Sequence, residues 1–314
     1  MSAHRLLRID RRIVLPAVLL LVPCSGAAPL AGPQHRRPAL VERFDSDPLS
    51  GRCHPPFFVE GDARARFTFL PDEPARFPGD RKGTLRVLYD TTVPAARLSM
   101  PLGTVLSPDD DFGFGAILTI RSSGYSASPD GFSQIAFGLW NAATTGMNRT
   151  GFPADSYDLL EFDYFANVTT FGGPFLTPTA FGGNAGGNAF FNLAFQSAQV
   201  ALPLDVPLLC DFRYAAATRT LTLSVGRRAQ GTRFAPLPDA TLSVDLSRLA
   251  PGFLVNVAGI AAYFEGAPSL HAVVDYDLLY VGDVPSPFEM GHPSCGEHGA
   301  GDGRGDGGEH REAR

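Results

Sequence analysis

Short runs in which apolar and polar residues alternate are the feature that most constrains how this chain can fold. Between residues 65 and 282 these runs recur between clusters of Gly, Pro, Asn and Asp, and no stretch repeats with the period of an amphipathic helix. Clear examples are 112–121, 221–225 and 242–246, and further runs lie at 84–89, 132–140, 157–165, 189–197, 254–264 and 271–281. Because consecutive side chains of a strand point to opposite faces, each example predicts a strand with one buried face. The whole chain offers roughly a dozen such runs, which predicts an all-β protein built as two stacked sheets or a barrel.

Composition and charge narrow the classes of function. The 314 residues are 44% hydrophobic and 18% charged, which suits one domain with a sizeable core and short appendages. The formal net charge is -6, and nucleic-acid binding proteins usually carry a basic surface, so no nucleic-acid partner is expected. No apolar stretch has the length of a membrane-spanning helix, so no transmembrane segment is expected either.

The first residues predict export. Residues 1–27 have the pattern of a secretory signal peptide, with four arginines, an apolar run at 13–23 and small residues at 25–27 that suit cleavage. The predicted location is therefore secreted or in the cell envelope. An alternative interpretation takes Cys24 as the acylated first residue of a lipid-anchored protein.

The remaining chain divides into three predicted parts. Residues 28–40 form a linker, 41–290 form one β-sandwich domain, and 291–314 form a disordered tail rich in Gly, His and charged residues. Inside the domain, 168–188 is low in charge and rich in Phe, Gly, Thr and Pro. We interpret 168–188 as one long loop, because glycines at this density weaken helices and central strands.

Three cysteines follow the predicted signal peptide, an odd number in a compartment that permits disulfides. Cys210 lies in an apolar run and is expected to be a buried free thiol. Cys53 and Cys295 flank the predicted domain, and the ends of a sandwich domain often lie close together. A disulfide between Cys53 and Cys295 is the resulting prediction.

Two carboxylates two residues apart form the most informative motif. In the segment 157–167, Glu161 and Asp163 share one face of a predicted strand, and apolar side chains share the other. Such a pair can bind a hard cation, act in glycoside hydrolysis, or simply face water or an arginine. The residues alone leave these three interpretations open.

The same segment resembles a known family. The sequence Glu-Phe-Asp-Tyr-Phe-Ala-Asn at 161–167 is similar to the metal-binding strand of legume-type (L-type) lectins, which reads E-F-D-T-aromatic-x-N. Pro-Asp-Gly-Phe at 129–132 is similar to the lectin segment that precedes an apolar strand, and 212–223 resembles a lectin hairpin. The resemblance covers roughly 110–282 in collinear order.

The resemblance implies a concanavalin A-like, two-sheet jelly-roll sandwich. It further implies that Glu161 and Asp163 face metal ions, with Asp163, Asn167 and the Phe165 carbonyl as ligands of Ca²⁺, and that Asp130 reaches the sugar. One departure is clear: the lectins supply a further Asp and a His soon after the Asn, and 168–200 contains no Asp, Glu or His. The transition-metal site is therefore expected to be missing, and the Ca²⁺ set is incomplete.

Related glucanases of the same fold carry E-x-D-x-E on this strand. Here the third position is Phe165, which cannot exchange a proton, so the second catalytic carboxylate is missing from its expected place. We therefore expect a non-catalytic module. A laminarinase-like glycoside hydrolase is one alternative, and a structural envelope protein without a small ligand is the other.

Carbohydrate binding fits the remaining polar and aromatic residues. Sugars stack their apolar faces on aromatic rings while amides and carboxylates bind the hydroxyls. The predicted sugar-contacting residues are Asp130, Trp140, Phe171 and Asn184. The predicted function is a secreted, lectin-like or surface-adhesion module whose partner is a glycan or polysaccharide.

Overall fold

The structure, a computed structural model, describes ten stretches of the chain: 40–50, 57–71, 83–90, 94–123, 134–147, 155–166, 173–184, 186–229, 234–263 and 271–282. They all belong to one unit, Arg37–Arg314. The strands are β1 (Leu40–Glu42), β2 (Phe58–Gly61), β3 (Phe67–Leu70), β4 (Thr84–Asp90), β5 (Ala96–Leu106), β6 (Phe112–Ser123), β7 (Gln134–Trp140), β8 (Leu159–Phe165), β9 (Phe175–Phe181), β10 (Leu193–Phe195), β11 (Ala198–Gln199), β12 (Leu208–Ala215), β13 (Thr220–Arg228), β14 (Phe234–Asp245), β15 (Val255–Ala262) and β16 (His271–Val281).

Helical structure within these stretches is short. It consists of α1 (Ala63–Arg66) and the 3-10 turns Pro48–Ser50 and Ala189–Asn192. None of the helices in the described part of the chain has the length and hydropathy to cross a membrane.

The strands form two antiparallel sheets. Sheet I has the order β14-β13-β12-β6-β16-β4-β3, with β1 beside β16, and sheet II has the order β10-β9-β8-β7-β15-β5-β2, with β11 beside β9. Every pairing is antiparallel, so both sheets follow the pattern expected for a sandwich. This architecture confirms the predicted all-β class and the two-sheet sandwich.

The core lies between the sheets and is built from alternate residues. On β6, Phe112, Phe114 and the following even-numbered residues through Ile120 are buried. The rings of Phe114 and Phe212 stack within sheet I at 4.5 Å between centroids, and Phe137 of sheet II meets Phe212 edge-on at 6.3 Å. Aromatic pairs of this geometry add to the free energy gained from burial.

The alternation predicts burial correctly at one edge of sheet I and only in part at its centre. β13 and β14 alternate between buried and more exposed residues, as expected for strands with one buried face. β6 is buried at every position from Phe112 to Ile120. On its outer face Ile117 packs against Leu278 and Tyr280 of β16, and side chains of neighbouring strands lie over the glycines.

The loop predicted over 168–188 is wrong at 175–181, which form strand β9 inside sheet II. Its outer face carries Phe175, Thr177, Thr179 and Phe181, residue types that favour a strand. Pro178 lies opposite Phe162 on β8, while on the other side β10 ends opposite Thr179 and β11 begins opposite Leu176. The proline therefore falls at a break between two short edge strands, where its missing N–H disrupts no ladder.

Cys210 is fully buried and free, as predicted, and burial raises the pKa of its thiol. The predicted signal peptide, Cys24, most of the linker and the tail all lie outside the described residues. So do Cys53 and Cys295, and the disulfide stays a prediction.

Candidate functional site

The predicted carboxylate pair lies on the outer face of sheet II. On β8, Leu160, Phe162 and Tyr164 enter the core between the sheets, and Glu161 and Asp163 point the other way, as the alternation predicted. The side chains are nevertheless 0% and 2% exposed. The interpretation of this pair as a face open to water is therefore wrong.

A glutamine of the neighbouring strand lies between the two carboxylates. The side-chain nitrogen Nε2 of Gln134, at the start of β7, donates to Oδ1 of Asp163 at 2.5 Å and lies 3.5 Å from Oε2 of Glu161. Gln134 is itself buried. Because both neighbours are carboxylates, which only accept, the amide group must turn its NH₂ toward them.

Cross-strand neighbours complete this polar cluster. Glu161 lies between Gly138 and Thr179, and Asp163 lies between Ala136 and Thr177. Both threonines are buried, and Thr177 Oγ1 donates to the carbonyl of Gln196 at 2.8 Å. The small residues on β7 leave room above the sheet for the longer acidic side chains.

Two tyrosines stand behind the cluster, on the core side of the sheets. The hydroxyls of Tyr89 and Tyr276 lie 2.8 Å apart, and Tyr89 also donates to the carbonyl of Ala136 at 3.3 Å. Burial raises the pKa of both tyrosines, and the negative charge of Glu161 raises it further. Both rings therefore stay neutral and supply no titrating group at neutral pH.

Trp140 is part of the core and not of a ligand surface. Its side chain is 0% exposed and packs with Leu159, Phe181 and Val257. The ring lies across Gly259, where a Cβ would come within 2.6 Å of indole Cη2. The predicted sugar contact of Trp140 is therefore wrong, because a ring without exposed surface cannot stack on a ligand.

Arg97 holds the segment after Trp140 against the sheet, and no sequence pattern indicates this role. The Arg97 guanidinium lies 5.4 Å from the centre of the Trp140 ring and forms a two-point ion pair with Glu60, with N to O distances of 3.0 and 2.8 Å. It also donates to the carbonyl of Thr145 at 2.9 Å. A buried arginine satisfied by a carboxylate and a carbonyl fixes the position of both partners.

Asp158 joins the loops at the end of the sandwich where β7 stops and β8 starts. Its Oδ1 accepts from the N–H of Leu254 at 2.8 Å, and its Oδ2 accepts from Thr144 Oγ1 at 2.7 Å. The residue is buried and has a φ of 52°, in the left-handed region that Asp tolerates better than most residues. We call this the Asp158 end of the sandwich.

The Asp158 end also carries Asn184, the one predicted sugar-contacting residue that is described and exposed. Its Oδ1 accepts from the N–H of Gly186 at 2.8 Å. Asn192 fixes the same loop, because its Nδ2 donates to the carbonyls of Gly183 and Ala250 at 3.0 and 2.8 Å. The loop is therefore held in place by side-chain hydrogen bonds at several points.

Two phenylalanines project from this fixed loop. Phe191 is 86% exposed, and Phe190 beside it is also exposed, with the two rings edge-on at 6.0 Å. Asn188 caps their 3-10 turn by accepting from the N–H of Phe190 at 2.9 Å. We call Asn184, Asn188, Phe190 and Phe191 the aromatic platform. The aromatic sugar contact predicted for this segment is Phe171, whereas Phe190 and Phe191 belong to no sequence motif.

The structure does not bring the predicted site residues into one place. Gln134 and Trp140 are the first and last residues of β7, which spans about 20 Å. Trp140 and Asn184 lie toward the Asp158 end, whereas Asp163 bonds to Gln134 at the other end of the strand. Asp130, Asn167 and Phe171 lie outside the described residues, and their roles stay predictions.

The described residues do not fit a metal ion at the carboxylate pair. In the described part of the chain no group of three or more His, Cys, Asp or Glu residues could hold a metal. A hydrogen-bond donor, Gln134 Nε2, lies between Asp163 and Glu161, where a cation would have to lie to be bound by both. Phe165, the third member of the predicted set, ends β8 opposite Gln134.

The same cluster lacks the geometry for glycoside hydrolysis. A catalytic acid or nucleophile must reach the scissile bond, and neither Glu161 nor Asp163 has appreciable exposed surface. Phe165 stands at the position of the missing second catalytic carboxylate and stacks on Phe175 at 4.5 Å. The side chains at this position therefore serve packing and hydrogen bonding.

Comparison with known proteins finds similar folds. No protein-family model matches the chain, and no curated protein matches its sequence. Among solved structures, the chain is similar to a seed lectin of Lotus tetragonolobus, with 11% identity, a TM-score of 0.46 and coverage of 79% of this chain and 100% of that one. It is also similar to the carbohydrate recognition domain of Emp47p, with 10% identity, a TM-score of 0.45 and coverage of 79% and 96%.

A third similar structure was solved with a sugar. It is the winged bean acidic lectin complexed with methyl-α-D-galactose, with 13% identity, a TM-score of 0.42 and coverage of 73% and 99%. All three TM-scores are below 0.5, so the two-sheet sandwich described above rests on the strand pairing of this chain itself.

Proposed function

We propose that this protein is a secreted, non-catalytic glycan-binding module that contacts its ligand through the aromatic platform. The observation that carries the proposal is Phe191, which is 86% exposed on a loop fixed by hydrogen bonds. The proposal keeps the predicted function and Asn184. It moves the aromatic contact from Trp140 and Phe171 to Phe190 and Phe191.

The exposed rings distinguish this loop from the rest of the described surface. Of the nine large apolar side chains that are exposed there, three lie within six residues, Phe190, Phe191 and Phe195. Burying one such ring would gain about 1.5–3 kcal/mol, and the fold leaves that free energy available for a partner. A cluster of exposed rings in one short segment is typical of a binding surface.

The chemistry around the rings suits a sugar. Pyranose rings present C–H groups that pack on an aromatic face, and their hydroxyls need donors and acceptors beside that face. Asn184 supplies an exposed amide, and Asn188 supplies a second amide at the base of the 3-10 turn. No acidic or basic side chain belongs to the platform, so an uncharged glycan is the favoured ligand.

The fixed loop also favours binding. Tyr157 donates from its hydroxyl to the carbonyl of Gly187, and Asn192 holds Gly183 and Ala250. A surface that is already ordered loses little conformational entropy when a ligand binds. The platform is therefore built to present its rings rather than to close around a ligand.

Secretion or attachment to the cell envelope is part of the proposal. It is supported by the arginines, apolar run and small residues of 1–27, which are typical of an export signal. Lipid attachment through Cys24 is the alternative form of the same proposal. A mass spectrum of the mature N-terminus distinguishes cleavage near residue 27 from acylation at Cys24.

The test is binding of the mature protein to an array of glycans and insoluble polysaccharides. We expect at least one glycan to bind, and Phe191→Ala to weaken that binding at least tenfold, a loss of about 1.4 kcal/mol. Phe58→Ala is the matched control, because Phe58 is also exposed but lies on β2 at the opposite edge of sheet II. The control should bind as the wild type does.

Three results would contradict the proposal. If no glycan binds, the structural envelope protein becomes the leading interpretation. If Phe191→Ala and Phe58→Ala behave alike, the platform is not the site. If reducing ends appear when the protein is incubated with a β-glucan, and Glu161→Gln abolishes them, the protein is a hydrolase.

A further inference from the structure

The buried carboxylate pair has the sequence of a metal-binding strand and the surroundings of a hydrogen-bonded cluster. Glu161 and Asp163 occupy the positions that the lectin resemblance assigns to metal ligands. Gln134 on the adjacent strand directs its amide nitrogen at both of them. We propose that the Gln134 side chain replaces the metal ion at this position, so that the fold of this protein is independent of divalent cations.

The geometry of the amide matches two acceptors. A glutamine NH₂ group carries two hydrogens in one plane, so one group can donate to two separate oxygens. The distances from Nε2 are 2.5 Å to Asp163 Oδ1 and 3.5 Å to Glu161 Oε2. The bond to Asp163 is the strong one, and the contact to Glu161 is at the limit of hydrogen bonding.

A cation at the same place would meet a donor and, among the described residues, would find only the two carboxylates as acidic ligands. Ca²⁺ takes six to eight oxygen ligands at about 2.3–2.6 Å, and an incomplete protein set must be completed by water. With Glu161 at 0% and Asp163 at 2% exposure, solvent does not reach the pair. The N–H groups of Gln134 also present positive partial charge to any ion between the carboxylates.

The cross-strand neighbours make the replacement sterically consistent. Gly138 and Ala136 stand beside Glu161 and Asp163 on β7, and Gln134 is the next residue on the same face of that strand. The glutamine is therefore the first residue of β7 long enough to reach across to the acidic side chains. The strand register, and not a chance contact, brings donor and acceptors together.

The first part of the test uses the full mature wild-type protein. Its thermal unfolding is measured in EDTA, in Ca²⁺ and in Mn²⁺, and its metal content is measured after purification without chelator. We expect the same Tm in all three buffers and no stoichiometric metal. A cation present at one hundred times its Kd would raise Tm by about 5–10 °C, and a rise of that size would overturn the proposal.

The second part replaces the donor by an acceptor. Gln134→Glu puts a third carboxylate in the cluster, so we expect a clear fall in Tm at neutral pH in EDTA. Gln199→Glu is the matched control, since Gln199 lies exposed on the short strand β11. If both variants lose the same small amount of stability, Gln134 does not bridge the pair and the proposal is wrong.

The third part exchanges donor and acceptor. In the double variant Gln134→Glu with Glu161→Gln, an amide again stands beside two carboxylates, so Tm should recover part of the loss seen in Gln134→Glu. An additive, larger loss would contradict the proposal. Should Gln134→Glu fail to fold, the wild-type measurements decide the question. Because none of these readouts involves a glycan, failure here is distinct from failure of the proposed function.

Discussion

The carboxylate cluster of sheet II and the aromatic platform at the Asp158 end differ in how distinctive their sequence is and in how exposed their side chains are. Glu161 and Asp163 belong to the most distinctive motif of the chain, yet they are buried and hydrogen-bonded to Gln134. Phe190 and Phe191 belong to no motif, yet they project from the surface. The difference teaches that a chemical motif identifies residues able to act, whereas exposure decides which residues can meet a partner.

The largest expected effect separates the core of sheet II from the aromatic platform. Trp140→Ala should lower the free energy of unfolding by about 3–5 kcal/mol, because it empties a fully buried site beneath Arg97. Phe191→Ala should change it by less than about 0.5 kcal/mol, since the ring is exposed. Urea unfolding of both variants measures the difference.

Glycan binding by the variants Trp140→Ala and Phe191→Ala provides the complementary measurement. The folded fraction of Trp140→Ala should bind as the wild type does, and Phe191→Ala should bind at least tenfold more weakly. If Trp140→Ala lost binding while keeping its stability, the tryptophan would be a ligand contact and the comparison between the two regions would break down.

A pH titration contrasts the platform, which has no titratable side chain, with a buried carboxyl of sheet I, Glu42 at the end of β1. The pKa of this carboxyl is raised from 4.5 to about 7, chiefly by burial; the N–H of Phe44, which donates to Oε1, opposes the shift, and the negative charge of Asp45 adds to it. Below about pH 4.5 the carboxyl is protonated in the folded and the unfolded chain, so ionisation costs nothing. As pH rises from 4.5 to 7 the unfolded chain ionises first, and stability falls by about 3 kcal/mol.

The control for this prediction is Glu42→Gln, which cannot ionise and should lack this fall in stability. Glycan binding by the folded protein should stay constant over the same range, because the platform has no titratable side chain. A wild-type stability that rose between pH 4.5 and 7, or a variant with the same pH profile, would show that Glu42 is not the group responsible.

The smallest effect concerns the support of the platform. Asp158→Ala removes the acceptors of the Leu254 N–H and the Thr144 hydroxyl and should cost about 2 kcal/mol. Asp158→Asn should cost less, since Asn keeps one acceptor and tolerates the left-handed φ of 52°. Denaturation midpoints measure both costs, and equal losses would contradict this account, because Asn keeps an acceptor and tolerates the left-handed φ, whereas Ala does neither.

Much of the fold could be predicted because the local alternation of apolar and polar residues indicates which segments form strands. The strand predicted at 271–281 is β16, and those predicted at 132–140 and 157–165 differ from β7 and β8 by two residues at their starts. β9 escaped prediction because Pro178 and the nearby glycines mark a loop in most contexts. Only the break between β10 and β11 makes the proline acceptable there.

The candidate site was harder to predict because its exposure depends on tertiary contacts, which a local sequence pattern does not contain. Alternation correctly put Glu161 and Asp163 on one face, but burial of an outer face depends on segments distant in sequence. Phe190 and Phe191 fell inside a run predicted as strand, where one of two neighbouring rings would be buried. Their signal was the preceding Gly186, Gly187 and Asn188, which favour a turn and a helix cap.

The most direct test of the central claim is NMR of the protein labelled on its phenylalanine rings and glutamine side chains, titrated with a glycan found to bind. The ring signals of Phe190 and Phe191 should shift with ligand concentration, and the side-chain NH₂ signals of Gln134 should not. Shifts at Gln134 with unchanged platform rings would contradict the account, because the ligand would then be meeting the carboxylate cluster.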